Sequence, residues 1–174
     1  LLSMMEEESP EYFQILYVSP LKALINDQYE RMDELLQESY IPVFRWHGDV
    51  SQNKKDNFIK SPRGLLQITP ESLESLLCRR RNDISRIFAH LKYVIIDEFH
   101  ALTGSDRGNQ IICQLQRISR LIGFEPRRIA LSATIGNPEA AAVWLSGGST
   151  RSTRVIQIPS ENASWKLALE HLDA

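Results

Sequence analysis

Two carboxylates and an imidazole follow a short apolar run in the sequence "YVIIDEFHAL", residues 93–102. The run "YVII" is typical of a buried strand, so Asp97 and Glu98 lie where that strand ends. Mg²⁺ takes carboxylate oxygens as ligands, and an adjacent carboxylate can orient and deprotonate a water molecule. The pair therefore suits hydrolysis of a nucleoside triphosphate, with Asp97 at the metal ion and Glu98 as the base. An isolated Asp-Glu pair is more often a solvated strand end, so the surrounding pattern decides.

The elements that would position these residues alternate between strands and helices. Short apolar runs predict strands over 13–19, 41–46, 64–69, 91–97, 127–133 and 154–159. Helical spacing predicts helices between them, with Ser51 and Pro70 as start signals and Gly123 as a stop signal. A short helix near 83–90 and a terminal helix from Asn162 are also predicted. This alternation predicts an α/β fold, in which helices cover both faces of a parallel sheet.

Polar clusters end four of the predicted strands. They are "SPLK" (19–22), "TPES" (69–72), the Asp97-Glu98 pair and "LSAT" (131–134). In parallel α/β sheets, ligands bind at the carboxyl ends of the strands because the loops converge there. Four such clusters favour one ligand site over four unrelated loops.

Length and composition limit the possible functions. At 174 residues and 43% hydrophobic, the chain is long enough for one globular domain with a core. A net charge of −2 argues against a protein that coats nucleic acid by bulk electrostatics, so any such contact must be local. The dense basic cluster is Arg79 to Arg81, followed by Arg86. A solvated helix end and a phosphate contact explain this cluster equally well.

Two further classes of protein are disfavoured. Cys78 and Cys113 have neither a CxxC spacing nor a Cys/His cluster, which predicts packed thiols and no zinc site. The apolar runs are much shorter than the roughly 20 residues that span a bilayer. We therefore expect a cytoplasmic protein without a membrane partner.

The motifs in their order resemble a known family. "SPLKAL" (19–24), "HGD" (47–49), "TPESL" (69–73), "DEFH" (97–100) and "LSAT" (131–134) are similar to the first RecA-like domain of superfamily 2 DExH-box helicases. The longer stretches "RWHGD", "GSDRG" and "LSATIGNPE" most resemble the Lhr-type (large helicase-related) branch. The resemblance covers nearly all of residues 14–159 and implies a RecA-like (P-loop NTPase) sheet that belongs to an ATP-dependent helicase or translocase.

The resemblance also implies roles for individual residues. Asp97 would bind Mg²⁺, Glu98 would be the catalytic base, and His100 would link the nucleotide site to a facing domain or to motif III. The coupling motif III would be Ser132, Ala133 and Thr134. The residues implied to contact nucleic acid lie in three loops: Ser19, Pro20 and Lys22; Gly48 and Asp49; and Thr69, Pro70 and Glu71. Thr69 before Pro70 also predicts an ordinary helix cap, and Trp46 is expected to be packed rather than stacked on a base.

A phosphate-binding loop, G-x-x-x-x-G-K-[ST], is absent, because none of the eight glycines is followed by Lys. The resemblance implies that this loop precedes "SPLKAL" in relatives, with "LLSMMEEES" as the tail of the following helix. Residues 1–174 would then be a partial first RecA-like domain, truncated at its N-terminus and inactive alone. The complete protein would use ATP and Mg²⁺ and would place a second RecA-like domain of the same chain against this one.

Two alternatives remain open. A catalytically degenerate RecA-like domain, which binds nucleic acid or acts as a scaffold, would keep these motifs without motif I. The Lhr-like details favour single-stranded DNA as the bound strand, but the strand could also be RNA. The loops read phosphates, and the 2′-OH contacts that distinguish RNA are not visible in a sequence.

Overall fold

The central sheet has five parallel strands in the order β2-β3-β1-β4-β5, and the computed structural model describes residues 12–156. The strands are β1 (Phe13–Val18), β2 (Val43–Trp46), β3 (Gly64–Ile68), β4 (Tyr93–Ile96) and β5 (Arg127–Ala130). All four neighbouring pairs are parallel. Parallel neighbours require crossover connections, and each connection here contains helix.

The helices are α1 (Lys22–Gln37), α2 (Gln52–Lys60), α3 (Pro70–Arg79), α4 (Ile84–Ile87), α5 (Asp106–Ile122) and α6 (Pro138–Leu145), with 3₁₀ turns at Arg81–Asp83 and Phe99–Ala101. The Thr69 side chain caps α3 by accepting a hydrogen bond from the Ser72 amide, as predicted. Gly123 ends α5 in a left-handed conformation, with φ of 81°. Ser51 precedes α2 as predicted, but its side chain makes no capping hydrogen bond.

Alternate strand residues pack on opposite faces of the sheet, which gives two hydrophobic cores. Leu16, Leu66 and Val94 belong to the larger core, with side chains from α2 to α6. Ile15, Leu65 and Ile95 belong to the smaller core, which α1 covers with Leu36. The central strands β1, β3 and β4 are buried on both faces, which explains why their sequences are largely apolar. The predicted parallel sheet with helices on both faces is confirmed.

Some predicted elements differ from the structure. The helix expected near 83–90 is a 3₁₀ turn followed by the single turn of α4. Residues 154–156 are not in a strand, and the rest of that predicted strand lies outside the described residues, as do "LLSMMEEES" and the helix from Asn162. The expectation that both cysteines are packed is wrong, because Cys78 and Cys113 are exposed on α3 and α5. Within residues 12–156, no helix is long and apolar enough to cross a membrane.

The turn from β4 into α5 is held closely against its neighbours. The Ser105 side chain caps α5 by accepting a hydrogen bond from the Gly108 amide, at 3.1 Å. A Cβ atom at Gly108 would collide with the Leu102 carbonyl oxygen and with the Trp144 ring. Glycine at this position therefore lets the first turn of α5 pack directly on the loop that follows the acidic pair.

We predict that Gly108→Ala lowers the free energy of unfolding by about 1–3 kcal/mol, because the backbone of Leu102 cannot move aside as a flexible side chain could. Urea unfolding followed by circular dichroism measures the change. Gly136→Ala is the matched control, since a Cβ atom there meets nothing within 4 Å. Equal stability of the two variants would show that α5 can shift without cost.

Candidate functional site

The predicted site residues lie along the carboxyl edge of the sheet. Backbone hydrogen bonds continue the strand pairing into the loops: the Ser19 amide donates to the Ile68 carbonyl at 3.1 Å, and the Asp97 amide donates to the Val18 carbonyl at 2.9 Å. Because these bonds fix the register, the loops after β1, β3 and β4 start from fixed positions side by side.

Asp97 is held at the end of β4 by two side chains that the sequence did not single out. Its side chain is nearly buried, at 8% exposure. Gln28 Nε2, from α1, donates to Asp97 Oδ2 at 3.0 Å, and the Tyr17 side chain lies close to this carboxylate. Burial, together with the hydrogen bond and charge of Asp97, raises the pKa of Tyr17 well above its usual range. Tyr17 therefore remains protonated and acts as a hydrogen-bond donor.

Glu98 turns the chain sharply directly after Asp97. Its backbone is left-handed, with φ of 48° and ψ of 43°, a conformation that costs a residue with a side chain about 1–2 kcal/mol. The Glu98 side chain is partly exposed, and its Oε2 lies 3.3 Å from His100 Nδ1. Strained backbone of this kind is common at functional sites, where it places a side chain that a regular strand would not.

His100 joins the turn formed by Asp97 and Glu98, here called the acidic turn, to the loop after β5. Its Nδ1 lies 3.2 Å from Ser132 Oγ, and Ser132 Oγ donates to the Thr134 carbonyl at 3.1 Å. Because the single hydroxyl proton of Ser132 goes to the Thr134 carbonyl, its oxygen can accept from His100 in the tautomer that carries hydrogen on Nδ1. The predicted acidic and coupling motifs are thus in direct contact, while Ala133 and Thr134 are exposed.

The first and second loops predicted to bind a nucleic-acid strand, residues 19–22 and 48–49, meet through an ion pair. Lys22 Nζ lies 2.8 Å from Asp49 Oδ2, and both side chains are largely exposed. The hydrogen bond and charge of Lys22 lower the pKa of Asp49. Gly48, beside Asp49, is exposed with open space around it. Lys22 is therefore already partnered, and a phosphate would have to compete with Asp49 for it.

The first and third loops are joined by Arg107, another residue that sequence reasoning missed. Its Nε donates to Glu71 Oε1 and its Nη2 donates to the Pro20 carbonyl oxygen, both at 2.7 Å. Ser19 is fully buried, and Thr69 is mostly buried as the cap of α3. The only sequence signal for Arg107 was its place in "GSDRG", a few residues after the acidic motif "DEFH".

A small polar network supports the loop after β2. His47 is 5% exposed, and its Nε2 lies 3.1 Å from Asn26 Oδ1. Burial lowers the pKa of His47, with the Asp49 carboxylate acting in the opposite direction. Arg45 also donates to Asn26 Oδ1, at 3.2 Å. Trp46 is buried, as expected, and packs edge-on against Phe58 with ring centroids 6.1 Å apart.

The carboxylates fit a magnesium ion that is held mainly by phosphates and water. Mg²⁺ is usually bound through one or two carboxylates plus substrate phosphates, not by an all-protein cage. Asp97 and the adjacent, partly exposed Glu98 match that donor set at the end of β4. Among residues 12–156, no group of three or more His, Cys, Asp or Glu could hold a metal ion by itself. Asp97 is thus the residue that would hold Mg²⁺.

Part of the basic cluster is engaged in surface ion pairs. Arg80 lies 3.1 Å from Asp56, and Arg86 lies 3.3 Å from Asp83. These contacts favour the surface-charge interpretation for these two arginines. Arg79, at the end of α3, has the position in which a cation stabilises a helix C-terminus.

Comparisons with known proteins give consistent results. A sequence model of the DEAD/DEAH box helicase family matches residues 1–143. The ATP-dependent helicase Lhr-Core of Methanocaldococcus jannaschii is 37% identical over 155 residues. The match covers 82% of this chain and 18% of that relative, so the chain spans less than a fifth of the relative's length.

Solved structures of helicases have the same fold. The Lhr helicase of Mycobacterium smegmatis, bound to single-stranded DNA and AMP-PNP, superposes with a TM-score of 0.71 and 31% identity over 84% of this chain and 20% of that one. The helicase MrfA, bound to DNA and AMPPNP, gives a TM-score of 0.69 and 31% identity over 86% of this chain and 21% of that one.

The buried imidazole of His47 predicts a pH dependence of stability. Its pKa in the folded chain lies below the ordinary value of 6.5, so the unfolded chain binds a proton first as the pH falls. The free energy of unfolding should therefore decrease below about pH 6.5, by at most about 1.4 kcal/mol per pH unit from this residue. Urea unfolding at a series of pH values measures the slope.

His47→Gln should reduce that slope, because the glutamine side chain does not titrate. His90→Gln is the matched control, since His90 is exposed and stacks on Tyr12 with ring centroids 3.9 Å apart. A slope that falls in the His90 variant but persists in the His47 variant would contradict the assignment.

Proposed function

The chain belongs to the DEAD/DEAH box helicase family, and on that premise we propose that it is part of the first RecA-like motor domain of an ATP-dependent helicase or translocase acting on single-stranded DNA. One observation carries the proposal: the acidic turn, the Ser132 loop and the strand-binding loops lie along one edge of one sheet, connected by side-chain contacts. A site that hydrolyses a nucleotide and a site that binds a strand are therefore neighbours.

At the nucleotide, Glu98 would act as the general base that takes a proton from the attacking water. Asp97, fixed by Gln28 and Tyr17, would hold Mg²⁺, whose role when bound is to neutralise charge on the ATP phosphates. The contact from Glu98 through His100 to Ser132 gives a route by which a change at the phosphate reaches the coupling loop. The cytoplasmic location stays a prediction.

The bound DNA strand would be held at the N-termini of two helices, independently of its base sequence. Helix α1 begins at Lys22, three residues after the predicted contact residue Ser19, and α3 begins at Pro70, directly after the predicted contact residue Thr69. Free amides at a helix start bind phosphate oxygens. The start of α1 has no side-chain cap, whereas in α3 Thr69 already accepts from the Ser72 amide and Pro70 has no N–H. The Lys22 ammonium adds a positive charge. The complexes of Lhr and MrfA with DNA support DNA over RNA. Competition between DNA and RNA strands of the same sequence tests that preference.

The 174 residues do not contain every part that hydrolysis requires. They hold no G-x-x-x-x-G-K-[ST] sequence, and the facing RecA-like domain would have to provide the arginine that stabilises the transition state. We expect these residues alone to bind nucleotide poorly and to hydrolyse none. The second candidate is a degenerate domain that only binds nucleic acid or acts as a scaffold.

We predict that Glu98→Gln in the full-length gene product lowers DNA-stimulated ATP hydrolysis by about 100-fold or more, because the amide keeps the shape of the carboxylate without its basicity. The measurement is ATP turnover with and without single-stranded DNA. Glu139→Gln, the same change at an exposed carboxylate of α6, is the control.

The results separate the two candidates. Turnover that survives in Glu98→Gln would show that another group is the base. No turnover in the unsubstituted protein, together with intact strand binding, would favour the degenerate domain.

Lys22→Ala should weaken binding of single-stranded DNA and reduce the slope of log affinity against log salt by about one phosphate contact. Fluorescence anisotropy with a labelled strand at several salt concentrations measures both quantities. Lys60→Ala is the control, because Lys60 is exposed at the opposite end of α2 from the loops. An unchanged slope in Lys22→Ala would remove Lys22 from the contact set.

A further inference from the structure

Arg107 bridges two loops that are far apart in the sequence. Its guanidinium donates from Nε to Glu71 Oε1 and from Nη2 to the Pro20 carbonyl oxygen, each at 2.7 Å. The same Nη2 also lies 2.7 Å from Glu71 Oε1. A planar guanidinium has donors in a fixed fork, so one side chain can hold a carboxylate and a carbonyl at once. The relative position of the two loops therefore depends on where Arg107 is placed.

The acidic turn determines where Arg107 is placed. The Thr103 amide and hydroxyl both donate to the Phe99 carbonyl, at 3.0 and 2.9 Å. The Ser105 hydroxyl then donates to the Leu102 carbonyl at 2.7 Å and caps α5. Hydrogen bonds thus run without interruption from the residue after Glu98 to the first turn of α5, which carries Arg107.

The rest of α5 is fixed to the start of α3. Gln114 is fully buried, and its Nε2 donates to the Pro70 carbonyl and to Glu74 Oε2, each at 3.0 Å. Arg117 forms an ion pair with Glu74 at 2.5 Å. These contacts make α5 and the third loop one packed unit. Of the three α5 side chains, Arg107 is the one that extends this unit to the Pro20 loop.

Glu71 has a clear partner in this arrangement. A carboxylate in a strand-binding loop would repel phosphate, but here it accepts from Arg107. Arg107 suits positioning better than phosphate binding, because its guanidinium already donates both to Glu71 and to the Pro20 carbonyl.

We propose that Arg107 is a positioning residue that holds the Pro20 and Glu71 loops in the geometry that binds single-stranded DNA, and that it ties this geometry to the acidic turn. This proposal rests on the proposed function. Arg107 acts through Pro20 and Glu71 and does not contact the strand. Substitution of Arg107 should lower the affinity for single-stranded DNA without removing a phosphate contact.

The test measures strand affinity and its salt dependence in the full-length protein, by fluorescence anisotropy with a labelled single-stranded DNA. Arg107→Gln and Arg107→Lys should each lower affinity by about tenfold, with the slope of log affinity against log salt unchanged. Lysine keeps the charge but lacks the planar fork that lets separate nitrogens of Arg107 donate to Glu71 and to Pro20. Arg120→Gln, an exposed arginine at the other end of α5, is the control and should leave affinity unchanged.

A double variant tests the route through Glu71. Arg107→Gln combined with Glu71→Gln should lose little more affinity than Arg107→Gln alone, because the two residues share one contact. Thermal unfolding by circular dichroism shows whether each variant is folded, and the lysine variant provides the same test if the glutamine variant is unfolded.

Each other outcome overturns the proposal. A slope lowered by about one in both Arg107 variants would make Arg107 a direct phosphate ligand. Unchanged affinity in folded Arg107 variants would leave it no positioning role. Absence of strand binding by the unsubstituted protein would refute the proposed function itself, which is a different result from a failure limited to Arg107.

Discussion

The hydrogen bond from the Asp97 amide to the Val18 carbonyl, 2.9 Å long, is the contact on which the arrangement of the site depends. It extends the pairing of β1 and β4 by one residue, so the acidic turn lies beside the loop that starts at Ser19. Parallel pairing brings all five carboxyl ends to the same edge. The proposed nucleotide site and the proposed strand-binding loops are neighbours because the sheet brings these loops together.

Charge at this edge is balanced locally. Lys22 is paired with Asp49 and Arg107 with Glu71, so cations in or behind the proposed strand-binding loops already have acidic partners. A DNA strand that binds Lys22 would exchange Asp49 for a phosphate as the partner of this lysine, while Arg107 would keep Glu71. That fits a net charge of −2 and the proposed motor, which would have to release its strand repeatedly. In the proposed motor, this exchange would lower the affinity for the strand and so favour its release.

The sequence predicted what local patterns determine. Strand positions followed from apolar runs, and Thr69 and Gly123 marked helix ends through their own side-chain and backbone preferences. Tertiary contacts were not predictable: nothing near Arg107 in the sequence indicates Pro20 as its partner. The cysteines were misjudged for the same reason, since neighbouring elements decide which face of α3 or α5 is buried. Motif order identified the family, whereas the couplings between motifs required coordinates.

The left-handed backbone at Glu98 places a conflict between stability and activity in a single residue. Glycine adopts this conformation without steric cost, so a chain selected only for stability would favour glycine here. Retaining a glutamate keeps the proposed base at a cost of about 1–2 kcal/mol to the folded state. A search for substitutions that raise the thermal stability of this domain would therefore favour Glu98→Gly, which removes the proposed catalytic base.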